Sequence, residues 1–143
     1  MSIHQISVFL ENRTGQLAEI TKLLADNGVD LRAISIAETA DYGVARMIAD
    51  DSQKASAILL AHGDILSMTP VWAVEVPDRA GGLAELLAIL AAGGVSVEYM
   101  YSLFTHKDGM AYMVLRISEE QKFQQIAKDN GIRIMAAAEL GLK

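Results

Sequence analysis

Asn12-Arg13-Thr14-Gly15-Gln16-Leu17-Ala18-Glu19 returns later in the chain as Asp78-Arg79-Ala80-Gly81-Gly82-Leu83-Ala84-Glu85. The offset of 81 − 15 = 66 residues holds without a gap from Asn12/Asp78 to Ser52/Ser118. Of those 41 aligned positions 14 are identical, including Leu24/Leu90, Gly28/Gly94, Val29/Val95, Gly43/Gly109 and Met47/Met113. A period this long with no insertion means two copies of one small fold, not a solenoid of short repeats. The repeat predicts units over residues 1–69 and 70–143. Units of that size bury modest cores and lean on one another for stability. Met68-Thr69-Pro70-Val71 leaves no room for a flexible linker, which predicts a fixed side-by-side pair.

Within one copy, Ile6, Val8 and Leu10 alternate with Gln5, Ser7 and Phe9, the pattern of a half-buried strand. A turn over Glu11 to Gly15 follows, then Leu17, Ile20, Leu23 and Leu24 at helical spacing. Asn27-Gly28 stops that helix. Asp30 to Thr39 and Val44 to Ala49 read as strands around Asp41-Tyr42-Gly43. Asp51 or Ser52 caps a second helix with Ala55, Ile58 and Leu59 inward. Ile65 to Met68 begins a fourth strand. In the second copy the strands are Val71 to Val76, Val97 to Thr105, Met110 to Ile117 and Ile132 to Ala138. Its helices are Gly82 to Ala92 and one opened by a capping box, Ser118-Glu119-Glu120-Gln121.

The order βαββαβ, twice, predicts an α+β protein of two ferredoxin-like units. Each has a four-stranded antiparallel sheet in the order 4-1-3-2, with both helices on one face. Strand 2 is an edge, and edges invite pairing. Joining strand 2 to strand 2 predicts one eight-stranded antiparallel sheet.

Composition narrows the function classes. The chain is 52% hydrophobic with a mean hydropathy of +0.26, which points to surface buried between units or chains, and hence to a homodimer. Charged residues interrupt every apolar run before membrane-spanning length, and no signal peptide is visible at the N-terminus. The absence of cysteine removes disulfides, thiolate metal sites and cysteine nucleophiles. A net charge of −6 without a basic cluster argues against nucleic acid or an anionic membrane as partner. These features together read as a cytoplasmic protein. No catalytic set stands out. His4, His62 and His106 lack metal-ligand spacing, Ala92-Gly93-Gly94 lacks the Lys and Ser/Thr of a phosphate loop, and Asp50-Asp51 is explained by a helix start. No metal or other cofactor is expected. Trp72 is expected to pack.

Each copy resembles an ACT domain, the small regulatory module of amino-acid metabolism. The shared mark is a strand, then (Asn/Asp)-Arg-x-Gly-x-Leu, then a helix, then Gly-Val and a second strand. It occurs at Asn12 to Leu17 with Gly28-Val29, and at Asp78 to Leu83 with Gly94-Val95. The whole chain is similar to stand-alone tandem ACT proteins, which carry no catalytic domain. The resemblance implies a ligand between paired domains, touching the strand-to-helix loop of one and strand 2 of its neighbour.

The residues themselves support the loop. Gly15 and Gly81 sit where a strand turns sharply into a helix, where glycine lets a ligand approach the main chain. Free N–H groups at a helix start suit a carboxylate, and the side-chain oxygen of Asn12 or Asp78 suits an ammonium group. Two sites are expected. The first joins Asn12, Arg13, Thr14, Gly15, Gln16 and Leu17 to Tyr99, Met100, Tyr101 and Ser102. The second, poorer in side chains, joins Asp78, Arg79, Gly81, Gly82 and Leu83 to Ile34 and Ser35. Plainer readings stand beside these. The glycines make a tight turn, Asn12 and Asp78 cap helices, Arg13 and Arg79 point to solvent or a nearby carboxylate, Leu17 and Leu83 are core, and the two tyrosines pack on a sheet face or dimer contact.

The leading expectation is therefore a non-catalytic sensor or regulator that binds a free amino acid and biases a partner enzyme. The alternative is a structural oligomerisation or adaptor module with no small ligand. A small enzyme ranks last.

Overall fold

The alternation read in the first strand holds from Ile6 to Glu11 of β1 (Ile3–Glu11), while Gln5, expected on the other face, is buried next to Ile6. A computed structural model describes residues 1–11, 13–38 and 41–143. In α1 (Gln16–Asp26) the buried residues Gln16, Ile20 and Leu24 recur every fourth position, so one stripe faces the strands. β2 (Leu31–Glu38) and β3 (Tyr42–Ala49) follow. Asp51 caps α2 (Ser52–His62), accepting the Lys54 N–H at 3.0 Å. Then come β4 (Leu66–Pro77), α3 (Gly82–Ala92), β5 (Val97–Ser102), β6 (Met110–Ile117) and α4 (Glu120–Asn130). A short 3-10 turn at Ala137–Leu140 ends the order.

The chain divides into two compact units. One comprises His4–Thr69 with Gly141–Lys143, the other Pro70–Leu140 with Met1–Ile3. In the first unit β3 is antiparallel to β1, from Ile6↔Met47 to Glu11↔Tyr42, and to β2, from Leu31↔Ala49 to Glu38↔Gly43. Ile6, Val8, Leu10, Ala45 and Met47 meet Ile20 and Leu24 of α1 and Ala55 and Leu59 of α2 in one core. In the second unit β6 is antiparallel to β4, from Trp72↔Leu115 to Pro77↔Met110, and to β5, from Val97↔Ile117 to Ser102↔Met113. There Trp72, Val74, Leu115 and Ile117 meet Leu86, Leu90 and Phe123. Trp72 stacks at a tilt on Phe123, centroids 5.4 Å apart, and so packs as expected.

The α+β architecture stands, but the strand count differs. The order is β2-β3-β1-β4-β6-β5, six strands rather than eight. Two causes account for the difference. The strands expected at Ile65–Met68 and Val71–Val76 form one unbroken strand, β4, because Pro70 lies just before the pairing with β6 begins at Trp72 and its missing N–H costs no bond there. The strand expected at Ile132–Ala138 shrinks to a single bridge, Val74↔Ile134, with hydrogen bonds from Glu75 N–H to Arg133 O and from Met135 N–H to Ala73 O. β2 and β5 stand at the two ends of the order, so the expected pairing of strand 2 with strand 2 is not formed. The capping box is also absent. Glu119 is the cap of α4 without a side-chain bond, and the Ser118 hydroxyl donates to the Glu119 carboxylate instead. Thr39, expected to end β2, lies outside the described residues.

Candidate functional site

Both strand-to-helix loops turn on a left-handed glycine, Gly15 at φ 85° and Gly81 at φ 87°. A side chain at either would be strained, so the glycine of the repeated motif is dictated by backbone conformation. Each loop carries the same ion pair, Arg13 to Glu19 at 3.2 Å and Arg79 to Glu85 at 2.9 Å. All four side chains are roughly half exposed, and such pairs contribute at most about 1 kcal/mol. Neither helix has a side-chain cap. Among the described residues the N–H groups of Leu17 and Ala18 meet no acceptor, since the first bonds into the turn come from Gln16 and Glu19. Two donors at the positive end of α1 are therefore available to an anion.

The two loops differ one residue after the glycine. A Cβ on Gly82 would overlap the Pro77 carbonyl oxygen and come within 3.1 Å of its carbon. The second loop is thus closed against the start of α3, and glycine alone fits there. The aligned residue in the first unit is Gln16, whose side chain needs the space that the Pro77 carbonyl fills in the second. Gln16 is 8% exposed, and its buried Oε1 meets no hydrogen-bond partner among the described residues. An unpaired buried acceptor costs about 1–3 kcal/mol, so it calls for an explanation.

Gln16 lines a cleft of ≈ 190 Å³ together with Leu10, Glu11, Arg13, Leu17, Ile36, Glu38 and Gly43. All belong to the first unit. Leu10, Gly43 and Glu38 are cross-strand neighbours on β1, β3 and β2, and Gly43, lacking a side chain, leaves the floor open. Glu11 and Glu38 form no ion pair with any described residue. The cleft thus sets the Arg13 guanidinium and Leu17, whose N–H is unused, beside the carboxylates of Glu11 and Glu38, above an apolar wall of Leu10, Leu17 and Ile36.

Of the expected first-site residues, Arg13, Gln16 and Leu17 come together in this cleft. Thr14 and Gly15 are exposed in the turn. Asn12 lies outside the described residues. On β5, Tyr99 is half-buried, Tyr101 buried and Ser102 exposed, while Met100 packs against the core of the second unit. In the second loop Asp78 and Arg79 are exposed, and the Asp78 N–H is tied to Gly109 O at 2.9 Å. Leu83 is 40% exposed, so the expectation that it is core fails; the helix turns Gly82 and Leu86 inward instead. Of the two expected residues of β2, Ile34 packs against the core and Ser35 is half-buried.

Sequence reasoning missed Glu11 and Glu38, which reach the cleft only through strand register, and it expected Ile36 opposite the second loop, not the first. It also missed His62. Its Nδ1 lies 2.8 Å from Asp64 and its Nε2 3.2 Å from Glu19. Glu19 in turn holds Arg13, so a chain of four charged groups ends at the cleft. The bond to Asp64, with the charges of Asp64 and Glu19, raises the His62 pKa above 6.5 against a smaller opposing cost of desolvation. Among the described residues no cluster of His, Asp or Glu is placed to hold a metal ion, and no helix is long and apolar enough to cross a membrane.

Comparison with known proteins identifies the family and fold. A family profile described as "ACT domain pair" matches residues 1–142. The chain is 37% identical to protein BT0572 from Bacteroides thetaiotaomicron, over 99% of this chain and 96% of that one, with a TM-score of 0.91. It resembles the ligand-free regulatory subunit of aspartate kinase from Thermus thermophilus at 16% identity, over 86% and 91% of the two chains, with a TM-score of 0.63. The regulatory subunit of aspartate kinase from Thermus flavus is similar at 18% identity, over 90% and 93%, with a TM-score of 0.62. At those identities the likeness is one of fold. No curated protein sequence matches the chain.

Proposed function

Since the chain belongs to the family of ACT domain pairs, we propose that it is a non-catalytic, cytoplasmic regulatory protein that binds a free amino acid at the cleft beside the β1–α1 loop. The observation that carries this reading is the Arg13 guanidinium and Leu17 set beside the Glu11 and Glu38 carboxylates in one cleft, with the unused N–H groups of Leu17 and of Ala18 next in the chain. The ligand carboxylate takes those N–H groups and Arg13, and its ammonium group takes Glu38 or Glu11. Each charged end of a zwitterion then meets its complement, which a simple anion or cation would not. Asn12, Thr14 and Gly15 of the loop complete the candidate set. Asp78, Arg79, Gly81, Gly82 and Leu83 make the weaker second set. The regulated partner is an enzyme, and the protein acts as a homodimer. Ligand binding shifts that partner's activity by as much as the ligand prefers one arrangement over another.

A thermal-shift screen of the twenty amino acids on protein refolded free of small molecules tests the reading. A ligand at a hundred times its Kd stabilises by about 2.7 kcal/mol, a shift of several degrees. No shift with any amino acid at millimolar concentration would leave the adaptor reading in its place.

A further inference from the structure

We propose that the outer face of α3 is a self-association surface, on which a second copy of the chain docks its own α3 antiparallel about a two-fold axis at Ala88. The proposal rests on the homodimer reading above and names the surface that makes the dimer.

The repeat supplies its own control. α1 and α3 span aligned residues, and α1 keeps a polar outer side, with Thr21, Lys22 and Asp26 and an ion pair between the last two at 2.6 Å. At the offset of 66 residues those positions become Leu87, Ala88 and Ala92. Ala84, Leu87, Ala88 and Ala91 recur at i, i+3, i+4 and i+7, which is one helix face. The alanines are exposed and Leu87 is half-buried. Leu83, 40% exposed, extends the face. Side chains this small let a second helix approach to about 8 Å between axes.

Charge selects the occupant. Glu85 is the one charged residue of α3. It shares a flank with Ile89 and Gly93, at i, i+4 and i+8, and α4 packs along that flank, where the Ile126 side chain fills the place of a Cβ on Gly93. Lys122 of α4 brings its Nζ to 3.1 Å from the place of a Cβ on Gly94, just past the end of α3. Among the described residues Lys122 has no ion pair. The Glu85 side chain leans toward the helix start, where it meets Arg79, so its carboxylate stands near the level of Gly82. An axis at Ala88 sets Gly94 of one copy opposite Gly82 of the other (94 − 88 = 88 − 82). Each Glu85 then faces the partner's Lys122 on the shared flank, twice over, and the two helix dipoles oppose. A face with its acid at one end and an unpaired base at the other complements itself when antiparallel, which favours a second copy over an unrelated protein.

The chain has no cysteine, so a single introduced one reports on one position. Oxidation of Ala88→Cys with copper–phenanthroline should give a covalent dimer, because helices packed this closely bring the two Cα atoms at the axis within disulfide reach. Lys22→Cys, the aligned position on α1, should stay uncoupled. Ala88→Lys, which gives α3 the residue that α1 carries, should raise the dimer Kd in sedimentation about hundredfold, since two like charges then meet at the axis. Lys122→Glu leaves the apolar face intact and should raise it about tenfold, as two ion pairs become two like-charge contacts. A wild-type dimer that Ala88→Lys leaves intact, or that couples through Lys22→Cys and not through Ala88→Cys, overturns the inference and leaves the homodimer standing. A wild-type chain that sediments as a monomer up to millimolar concentration overturns both.

Discussion

Replacing Gly82 with alanine asks one methyl to enter space that the Pro77 carbonyl oxygen already fills. The obstacle is backbone, not the end of a flexible side chain, so the loop must move. Overpacking of this kind costs about 1–3 kcal/mol. The displaced oxygen also accepts the Arg79 N–H at 3.0 Å, and losing that bond adds about 1 kcal/mol. Lower entropy of the unfolded chain returns roughly 0.4–1 kcal/mol. The net is about 1–3.5 kcal/mol, or a fall in Tm of about 3–14 °C for a chain this size. Calorimetric unfolding measures it, with Gly43→Ala as the control. A Cβ at Gly43 meets the Ala37 carbonyl at an ordinary 3.5 Å, so that variant should unfold within about 2 °C of the wild type. If Gly82→Ala matches the control, the second loop is not closed on its helix, and the structural asymmetry between the two loops is wrong.

Gly43→Ala should nevertheless weaken amino-acid binding at least fivefold, because its methyl enters the floor of the cleft; titration of the folded variant checks it. His62 gains partners on folding and its pKa is raised, chiefly by Asp64. The stability it contributes is therefore fully present below its unfolded value, near 6.5, and is lost as pH rises through the higher folded value. Urea unfolding at pH 5.5 and 8.5 should show a wild-type advantage over His62→Gln that shrinks at the higher pH. Glu75 behaves oppositely. Its carboxylate is 7% exposed, 3.0 Å from Arg133 and 3.1 Å from Lys107, and the Arg133 bond foremost holds its pKa down. Its contribution is present above the unfolded value of about 4.5 and is lost as pH falls through the folded one. Glu75→Gln should accordingly flatten the acid limb of the stability curve measured between pH 6 and 2.5.

The repeated loop was legible because Gly15 and Gly81 answer a local demand, a left-handed turn between strand and helix, and local demands are written in single residues. The helices were legible for the same reason. The join at Pro70 was not legible because two copies of a repeat read as two separate strands, while the cost of a proline depends on whether a partner strand needs its N–H, which no local pattern reveals. The Ser118 capping box failed on similar grounds, its hydroxyl finding Glu119 before the backbone. For the site, Arg13, Gln16 and Leu17 of the motif lie along one cleft. Glu38 and Gly43 enter only through the register of β2 on β3 on β1. The His62–Glu19 contact joins residues 43 positions apart (62 − 19) on two different helices, with no motif linking them. The Gln16/Gly82 difference was visible as a change of letter. What made it physical was the position of the Pro77 carbonyl, which strand pairing decides.

Amide hydrogen exchange resolved by residue tests the central claim most directly. With saturating amino acid from the thermal-shift screen, the Leu17 and Ala18 amides should exchange at least tenfold more slowly than in the free protein, while Leu83 and Ala84 change little. Protection at Leu83 and Ala84 instead, or no protection at either helix start despite bound ligand, would contradict the account.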